Sequence, residues 1–378
     1  MSDNHKKILI LIADAGLGHR TAAEALEAAC QQLYGEESEI VVKNPLDHPD
    51  LPDFISETQS NYDDIVKAIP KLYRIGYDLS DADVPVALME GGYIVVLFNV
   101  IRKVIDDCKP DLIMSTYPIY QAPLKIIFQV DDLNIPLIAV VTDLVTVHQT
   151  WFNDGVTKLA VPTDVVRDLA LEAGLAEDQV VKTGIPVDPK IAELKNREVA
   201  EIRRSLDWEE EPIGILVAGS PRVPNMMEII QALDQSDHNI QFGLVAGGHD
   251  PLYDQFKQTK WRHPAQIYNF VDFMPELMRV ADLIVSKAGG LIVTESLASG
   301  LPLMFVHVLP GQERGNADFV VDHDAGAMCE TPETALETLS RWLANDQAQL
   351  NQVARNAEIL GQPEAAHEIV KLGWQLIN

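Results

Sequence analysis

The chain has 378 residues and sets 29 Lys and Arg against 57 Asp and Glu, a formal net charge of −28. So acidic a balance argues against nucleic-acid binding and against strong attraction to anionic lipid. The length suits two domains with separate cores, and 47% hydrophobic and 23% charged residues are ordinary globular values. Cys30, Cys108 and Cys329 are odd in number and far apart, which suggests neither a disulfide framework nor a zinc site and fits a reducing cytoplasm. Asp3, Asn4 and His5 precede a first apolar run that reads as a strand and not as a leader. The longest nearly apolar stretch, residues 93–101, is too short to span a bilayer.

Residues 6–12 predict a buried strand of a parallel sheet. A loop with Gly16, Gly18 and His19 follows, then an Ala-rich helix over 21–33. Ligands in open α/β sheets sit at the carboxyl ends of strands, where this loop falls, although a lone histidine there is equally a helix cap. A short strand at 39–42 leads into 44–92, read as helices and long loops inserted in the first domain. Residues 60–110 hold six basic against eight acidic side chains, so no basic anchoring helix is visible. Apolar side chains such as Leu88, Met89, Tyr93, Val96 and Leu97 offer a surface for weak membrane contact, though core packing explains such runs more often.

Strands at 111–118 and 135–142 end at polar positions, the latter at Asp143, with His148 and Trp151 beyond. Asp143 is open to a loop-capping role and Trp151 to plain packing. Strands at 158–162 and 180–187 close the first domain, and 188–211 reads as hinge plus helix. Strands follow at 213–220, 241–246 and 267–271. Residues 281–286 form a further strand that turns through Lys287-Ala288-Gly289-Gly290 into a helix over 291–298. Strand, glycine turn and helix start aim unpaired N–H groups and a positive dipole end at one place, which suits an anion such as phosphate. Glu295, within two turns of that start, can accept from a ribose diol, and Gln312 and Glu313 after the next strand suit further hydroxyls. A tight turn in an α/β core with a solvated Glu295 would look the same in isolation. Asp322-His323-Asp324 reads as a surface turn, and the tail from Thr331 as helical, with Trp374 packing back.

Several spaced blocks occur in order: Ser286-Lys287-Ala288-Gly289-Gly290, Thr294-Glu295, Gly300-Leu301-Pro302 and Pro310-Gly311-Gln312-Glu313. Together they resemble the family of diacylglycerol glycosyltransferases and monogalactosyldiacylglycerol synthases, which is related to the peptidoglycan N-acetylglucosaminyltransferase. The resemblance implies a GT-B fold of class α/β, with two Rossmann-like domains whose parallel sheets face across a cleft. The expected boundaries are 1–187 for an acceptor domain and 188–211 for the hinge. A donor domain over 212–362 and a returning helix over 363–378 complete the chain.

What the resemblance implies for chemistry is transfer of a hexose from a UDP-sugar to a lipid hydroxyl. No metal or cofactor is expected, and a cytoplasmic site on the inner face of the cell membrane is. Gly16, Gly18 and His19 match the segment carrying the family's general base, with Leu17 interrupting the glycine run; Asp143, His148 and Trp151 match its Thr-Asp…His…Trp block. The implied donor side comprises Gly219, Ser220, Phe270, Val271, Lys287, Gly289, Gly290, Leu291, Glu295, Gln312, Glu313 and Asn316. Pro221-Arg222 replaces further glycines of the diphosphate loop and leaves Arg222 as a substitute charge, while residues 274–278 resemble a uracil-binding turn. Two other readings stay open: a UDP-sugar epimerase-like isomerase, and a non-catalytic nucleotide-sugar-binding protein.

Overall fold

The computed structural model describes residues 5–14, 17–49, 51, 86–309 and 312–378, the side chains of 17, 86–96 and 312 excepted. Most of the expected insert, Gly16 and the Pro310-Gly311 pair lie outside the described residues. The chain divides into two compact units. One comprises Met1–Asp143, Val147–Pro186 and Ala365–Asn378; the other comprises Leu144–Thr146 and Val187–Glu364.

The first unit is built on β1 (Lys6–Leu11), β2 (Ser38–Lys43), β3 (Leu112–Ser115), β4 (Leu137–Val140), β5 (Lys158–Val161) and β6 (Val180–Lys182). All pair in parallel in the order β2-β1-β3-β4-β5-β6. Its helices are α1 (Leu17–Tyr34), α2 (Val86–Cys108), α3 (Gln121–Val130) and α4 (Asp164–Glu172), joined by the C-terminal helix Ala365–Ile377. β1 is apolar on successive residues because both its faces are covered. Leu9 and Leu11 pack with Leu97, Leu124 and Val166 of α2, α3 and α4, while Ile8 and Ile10 pack with Leu26 of α1 and Ile369 of the C-terminal helix. That last helix sits close: a Cβ at Gly373 would fall 2.7 Å from Leu112 Cδ2, and the Trp374 ring stacks on Tyr34 at 4.0 Å.

The second unit repeats the plan with β7 (Ile213–Ala218), β8 (Ile240–Val245), β9 (Ala265–Tyr268), β10 (Leu283–Lys287), β11 (Leu303–His307) and β12 (Gly326–Met328). The order is β12-β11-β10-β7-β8-β9, again parallel. Its helices are α5 (Lys190–Leu194), α6 (Val199–Ser205), α7 (Met226–Asp234), α8 (Asp250–Gln258), α9 (Met274–Val280), α10 (Gly290–Ala298), α11 (Gln312–Asp322) and α12 (Pro332–Leu360). α12 breaks at Ala344–Gln347, where Asn345, Asp346 and Gln347 take positive φ of 51°, 54° and 61°. The buried Arg203 of α6 ties the unit's entry to the sheet by donating to the carbonyls of Val280 and Pro212 and pairing with Asp282 at 2.9 Å.

The α/β class with two parallel sheets is as expected, but local readings change. The strand expected over 180–187 ends at Lys182. The turn expected over 274–278 is the first part of α9, with Pro275 in the first turn, where its missing N–H costs nothing. Leu97, placed on an apolar surface from its sequence, is fully buried because α2 lays that face on the sheet. Among the described residues no helix is long and apolar enough to cross a membrane.

Each sheet reverses its direction of winding once, between β1 and β3 in the first unit and between β7 and β10 in the second. Such reversals splay the connections apart above the carboxyl ends of the strands and leave a crevice for ligand.

Candidate active site

In the first unit the reversal point holds His19, in the first turn of α1. Leu11 at the end of β1 is in register with Ser115 at the end of β3, so the residues after each strand meet. His19 Nδ1 lies 2.7 Å from the carbonyl oxygen of Thr116 and 2.8 Å from Thr142 Oγ1, while Thr116 Oγ1 donates to the His19 carbonyl. A carbonyl only accepts, so Nδ1 carries the proton and Nε2 presents its lone pair. Tyr117 packs its edge on the imidazole at 5.1 Å, and Trp151 lies tilted at 6.3 Å. Burial holds the imidazole below its usual pKa, against an upward pull from Asp143 and from the Thr116 carbonyl. The result is a histidine that is neutral at pH 7 and oriented.

Asp143 is held in turn by the buried Trp151, whose Nε1 donates to Asp143 Oδ2 at 2.8 Å. The tryptophan thus packs in the core and fixes the carboxylate with one group. Beside them Arg20 grips Asp14 with two bonds of 2.6 and 2.7 Å, which holds that carboxyl below the usual carboxylate range and fixes the start of α1. His148 stands apart from this cluster: it is exposed and caps a 3-10 turn, Nδ1 accepting from Thr150 N. Gly18 has open space where a Cβ would point.

In the second unit Val217 of β7 is in register with Val285 of β10, which brings Gly219-Ser220 beside Lys287–Gly290. The pairing of β10 with β11 shifts register between Ser286 and Lys287, an irregularity that re-aims the lysine at the strand end. Lys287 forms an ion pair with Glu313 of α11, and Glu313 Oε2 accepts from Leu309 N at 3.1 Å. Asn316, one turn on, is buried and donates from Nδ2 to the Ala288 carbonyl. Gly289 leaves room for this ion pair: a Cβ there would lie 2.5 Å from Lys287 Nζ, so the lysine end would have to shift. Gly290 then opens α10, whose N-cap is Gly289, and Leu291 follows it.

Glu295 lies half-buried on α10, and its carboxyl is pushed up to about 8 by burial first and by the nearby Asp188 second. Phe270, beyond β9, leaves 77% of its surface exposed, and Val271 follows it half-buried. Arg222 is exposed after β7, its backbone N–H donating to Ser220 Oγ. Only the backbone of Gln312 is described, as the first residue of α11. Asp322-His323-Asp324 ends α11 as a surface turn, His323 Nδ1 bonding to the Phe319 carbonyl and Asp324 taking a φ of 52°.

Three participants escaped the sequence reading. The Thr116 carbonyl sets the histidine tautomer and the Thr142 hydroxyl meets the same nitrogen, each from beyond a strand far away in the chain, and Asp188 perturbs Glu295. The only local signal for the threonines was a hydroxyl residue within two positions of the end of a buried strand.

Residues 19–187 match the family described as monogalactosyldiacylglycerol (MGDG) synthase, and residues 218–371 the glycosyltransferase family 28 C-terminal domain. The chain is 31% identical to a Glycine max protein described as "Probable monogalactosyldiacylglycerol synthase, chloroplastic", over 97% of this chain and 70% of that one. It is 29% identical to monogalactosyldiacylglycerol synthase 3, chloroplastic, of Arabidopsis thaliana, over 97% and 80%. Among solved structures it resembles Acinetobacter baumannii MurG, with a TM-score of 0.63 at 18% identity over 98% and 99% of the two chains. It also resembles S. aureus MnaA bound to UDP, with a TM-score of 0.60 at 14% identity over 98% and 97%. These two likenesses show the GT-B fold alone. The expectation of a cytoplasmic site does not stand, since the plant relatives are chloroplastic. Identity across nearly the whole chain, with both halves matched by their family descriptions, shows that the chain belongs to the monogalactosyldiacylglycerol synthase family.

Proposed function

We infer that the protein moves a hexose from a UDP-sugar to the free hydroxyl of diacylglycerol, with His19 as general base. Family membership makes it a glycosyltransferase of glycolipid synthesis acting on diacylglycerol; the donor nucleotide and the residue roles are the proposal. His19 Nε2 takes the proton of the acceptor hydroxyl as that oxygen bonds to the anomeric carbon. The bond from the anomeric carbon to the diphosphate breaks, and UDP leaves with the electron pair. Asp143 stabilises the imidazolium that forms. In the second unit the N–H groups opening α10, together with Lys287, receive the diphosphate charge, and Glu295 accepts from the ribose hydroxyls.

The observation that carries this reading is the Nδ1 contact to the Thr116 carbonyl, which leaves Nε2 as the basic nitrogen. The test is turnover of UDP-galactose and UDP-glucose with and without dispersed diacylglycerol. Glycolipid formation that depends on diacylglycerol supports the reading. UDP-sugar isomerised or hydrolysed at the same rate without acceptor, or bound without turnover, refutes it.

A further inference from the structure

Behind the glycine turn, at the other end of α10, the second unit carries a cavity of about 390 Å³. Its walls are Lys195 after α5, Arg279 on α9, the Ser299-Gly300 corner, and a stripe of Asn351, Ala354, Arg355 and Glu358 on the last part of α12. The spacing of that stripe is one face of a helix. Gly300 has a φ of 72°, and a Cβ there would sit 3.6 Å from Glu358 Cβ, so the corner turns sharply and lies close to the helix. α10 has nine residues, which separates the two ends by roughly 13 Å at 1.5 Å per residue. The cavity is therefore not the proposed donor pocket.

Three cations and one carboxylate line it, in a chain where acids outnumber bases 57 to 29. With that excess a cation ordinarily finds a carboxylate, yet Arg279 and Arg355 have none within ion-pair distance among the described residues; only Lys195 does, 3.4 Å from Glu358. Arg279 is fixed in place by donating from Nη2 to the carbonyls of Lys195 and Arg197, each at 3.1 Å. Its Nε is buried and meets no acceptor, an uncompensated donor that a folded protein seldom keeps. Arg355 gives Nη2 to Gln352 at 2.7 Å and keeps the rest of its fork. The Ser299 hydroxyl has only the Met278 sulfur, at 3.6 Å. Forked guanidinium donors flanked by a hydroxyl and an amide are the donor set that recognises a tetrahedral oxyanion.

We propose that this cavity binds a phosphate group, free or carried by a larger molecule, at a site separate from the donor. The excess of cations lining it suits a phosphate, and its volume leaves room for a substituent. The inference does not use the transfer reading and stands or falls apart from it.

The test measures thermal stability with inorganic phosphate against sodium chloride at matched ionic strength, in saturating UDP so that a donor diphosphate subsite is already filled. Phosphate is expected to raise the melting temperature beyond the chloride control. R279Q and R355Q should each weaken the response about tenfold or more, as loss of a charge-assisted bond does. E358Q should strengthen it severalfold by releasing Lys195. Arg355 is exposed, so R355Q keeps the test valid if R279Q fails to fold. A second arm sediments the protein with vesicles of phosphatidylcholine, with and without phosphatidylglycerol. A response to free phosphate assigns a soluble ligand; retention only on phosphatidylglycerol vesicles, lost in R355Q, assigns a lipid headgroup. No response in either arm, or responses that R279Q, R355Q and E358Q leave unchanged, overturns the proposal.

Discussion

Glu295 offers the sharpest test of the donor site, because its protonation and its proposed ligand make opposite demands. Burial and Asp188 push the carboxyl up to about 8, so the empty protein holds it as the neutral acid at pH 7. A ribose diol donating two hydrogen bonds is served best by the carboxylate, whose two oxygens both accept. Binding must then release a proton, and affinity must rise with pH until the free acid has titrated. From about pH 6 to about pH 8.5 the ionised fraction climbs from about 1% to about three-quarters, so affinity should rise roughly seventyfold, about 2.5 kcal/mol. A UDP-sugar is the right ligand, since its diphosphate has no group titrating in that range. Calorimetry in buffers of different ionisation enthalpy should find close to one proton released near neutrality. E295Q should bind at least about tenfold more weakly than the fully ionised protein, with no slope in pH. Asp188→Asn removes one of the two causes of the shift and should move the inflection to lower pH. A flat wild-type profile, or a slope that survives in E295Q, would refute the argument. For stability the sign is opposite: the folded state prefers the acid, so this group's contribution is complete below the ordinary carboxylate value and is lost as pH rises towards 8.

Replacing His19 with alanine should leave UDP-sugar binding intact by calorimetry and lower kcat by about a hundred- to ten-thousandfold, the usual range for a general base. Because burial lowers the imidazole pKa, the acid limb of kcat/KM for diacylglycerol, measured at saturating UDP-sugar so that Glu295 is already ionised, should fall below pH 6.5, and Asp143→Asn, which removes the upward pull, should carry it lower still. Gly289→Ala puts a Cβ against the end of a flexible lysine, so the fold should survive while displacement of Lys287 from Glu313 weakens donor binding, which melting curves and UDP titration would separate. Phe270→Ala should not change the melting temperature, given 77% exposure, yet should cost about 1–3 kcal/mol of UDP binding if the ring stacks on the base; unchanged UDP affinity removes it from the site.

Much of both sheets was legible because parallel strands buried on two faces write themselves as unbroken apolar runs, as β1 and β7 do. The glycine turn before α10 was legible as a Gly-Gly pair between a buried strand and a helix, and Gly289 leaves Lys287 free to reach Glu313. What the sequence could not show is pairing across distance. Thr116 and His19 are 97 positions apart, and Thr142 and His19 are 123 apart, so nothing local says that these groups meet at one ring nitrogen. Leu97 sits in an apolar run that suits a surface or a core equally from sequence, and the packing of α2 on the sheet turns it inward. Trp151 needed no choice between packing and chemistry, since its ring is core and its Nε1 holds Asp143.

The net charge, which argues against nucleic-acid and anionic-lipid partners, also bears on the proposed donor site. A nucleoside diphosphate approaching a chain of net charge −28 meets repulsion that salt screens beyond roughly 8 Å at physiological strength. Within that distance local groups decide. There Glu313 is already paired with Lys287, and Glu295 rests as the acid, so neither carboxyl adds a free negative charge where the diphosphate is proposed to settle. The opening N–H groups of α10 face the same turn. An ionised Glu295 in the empty site would oppose the diphosphate before the ribose could reach it. On the proposed site a proton held until the ribose arrives would remove that opposition and then leave, so the same burial that perturbs the acid would make an acidic protein receptive to an anionic donor.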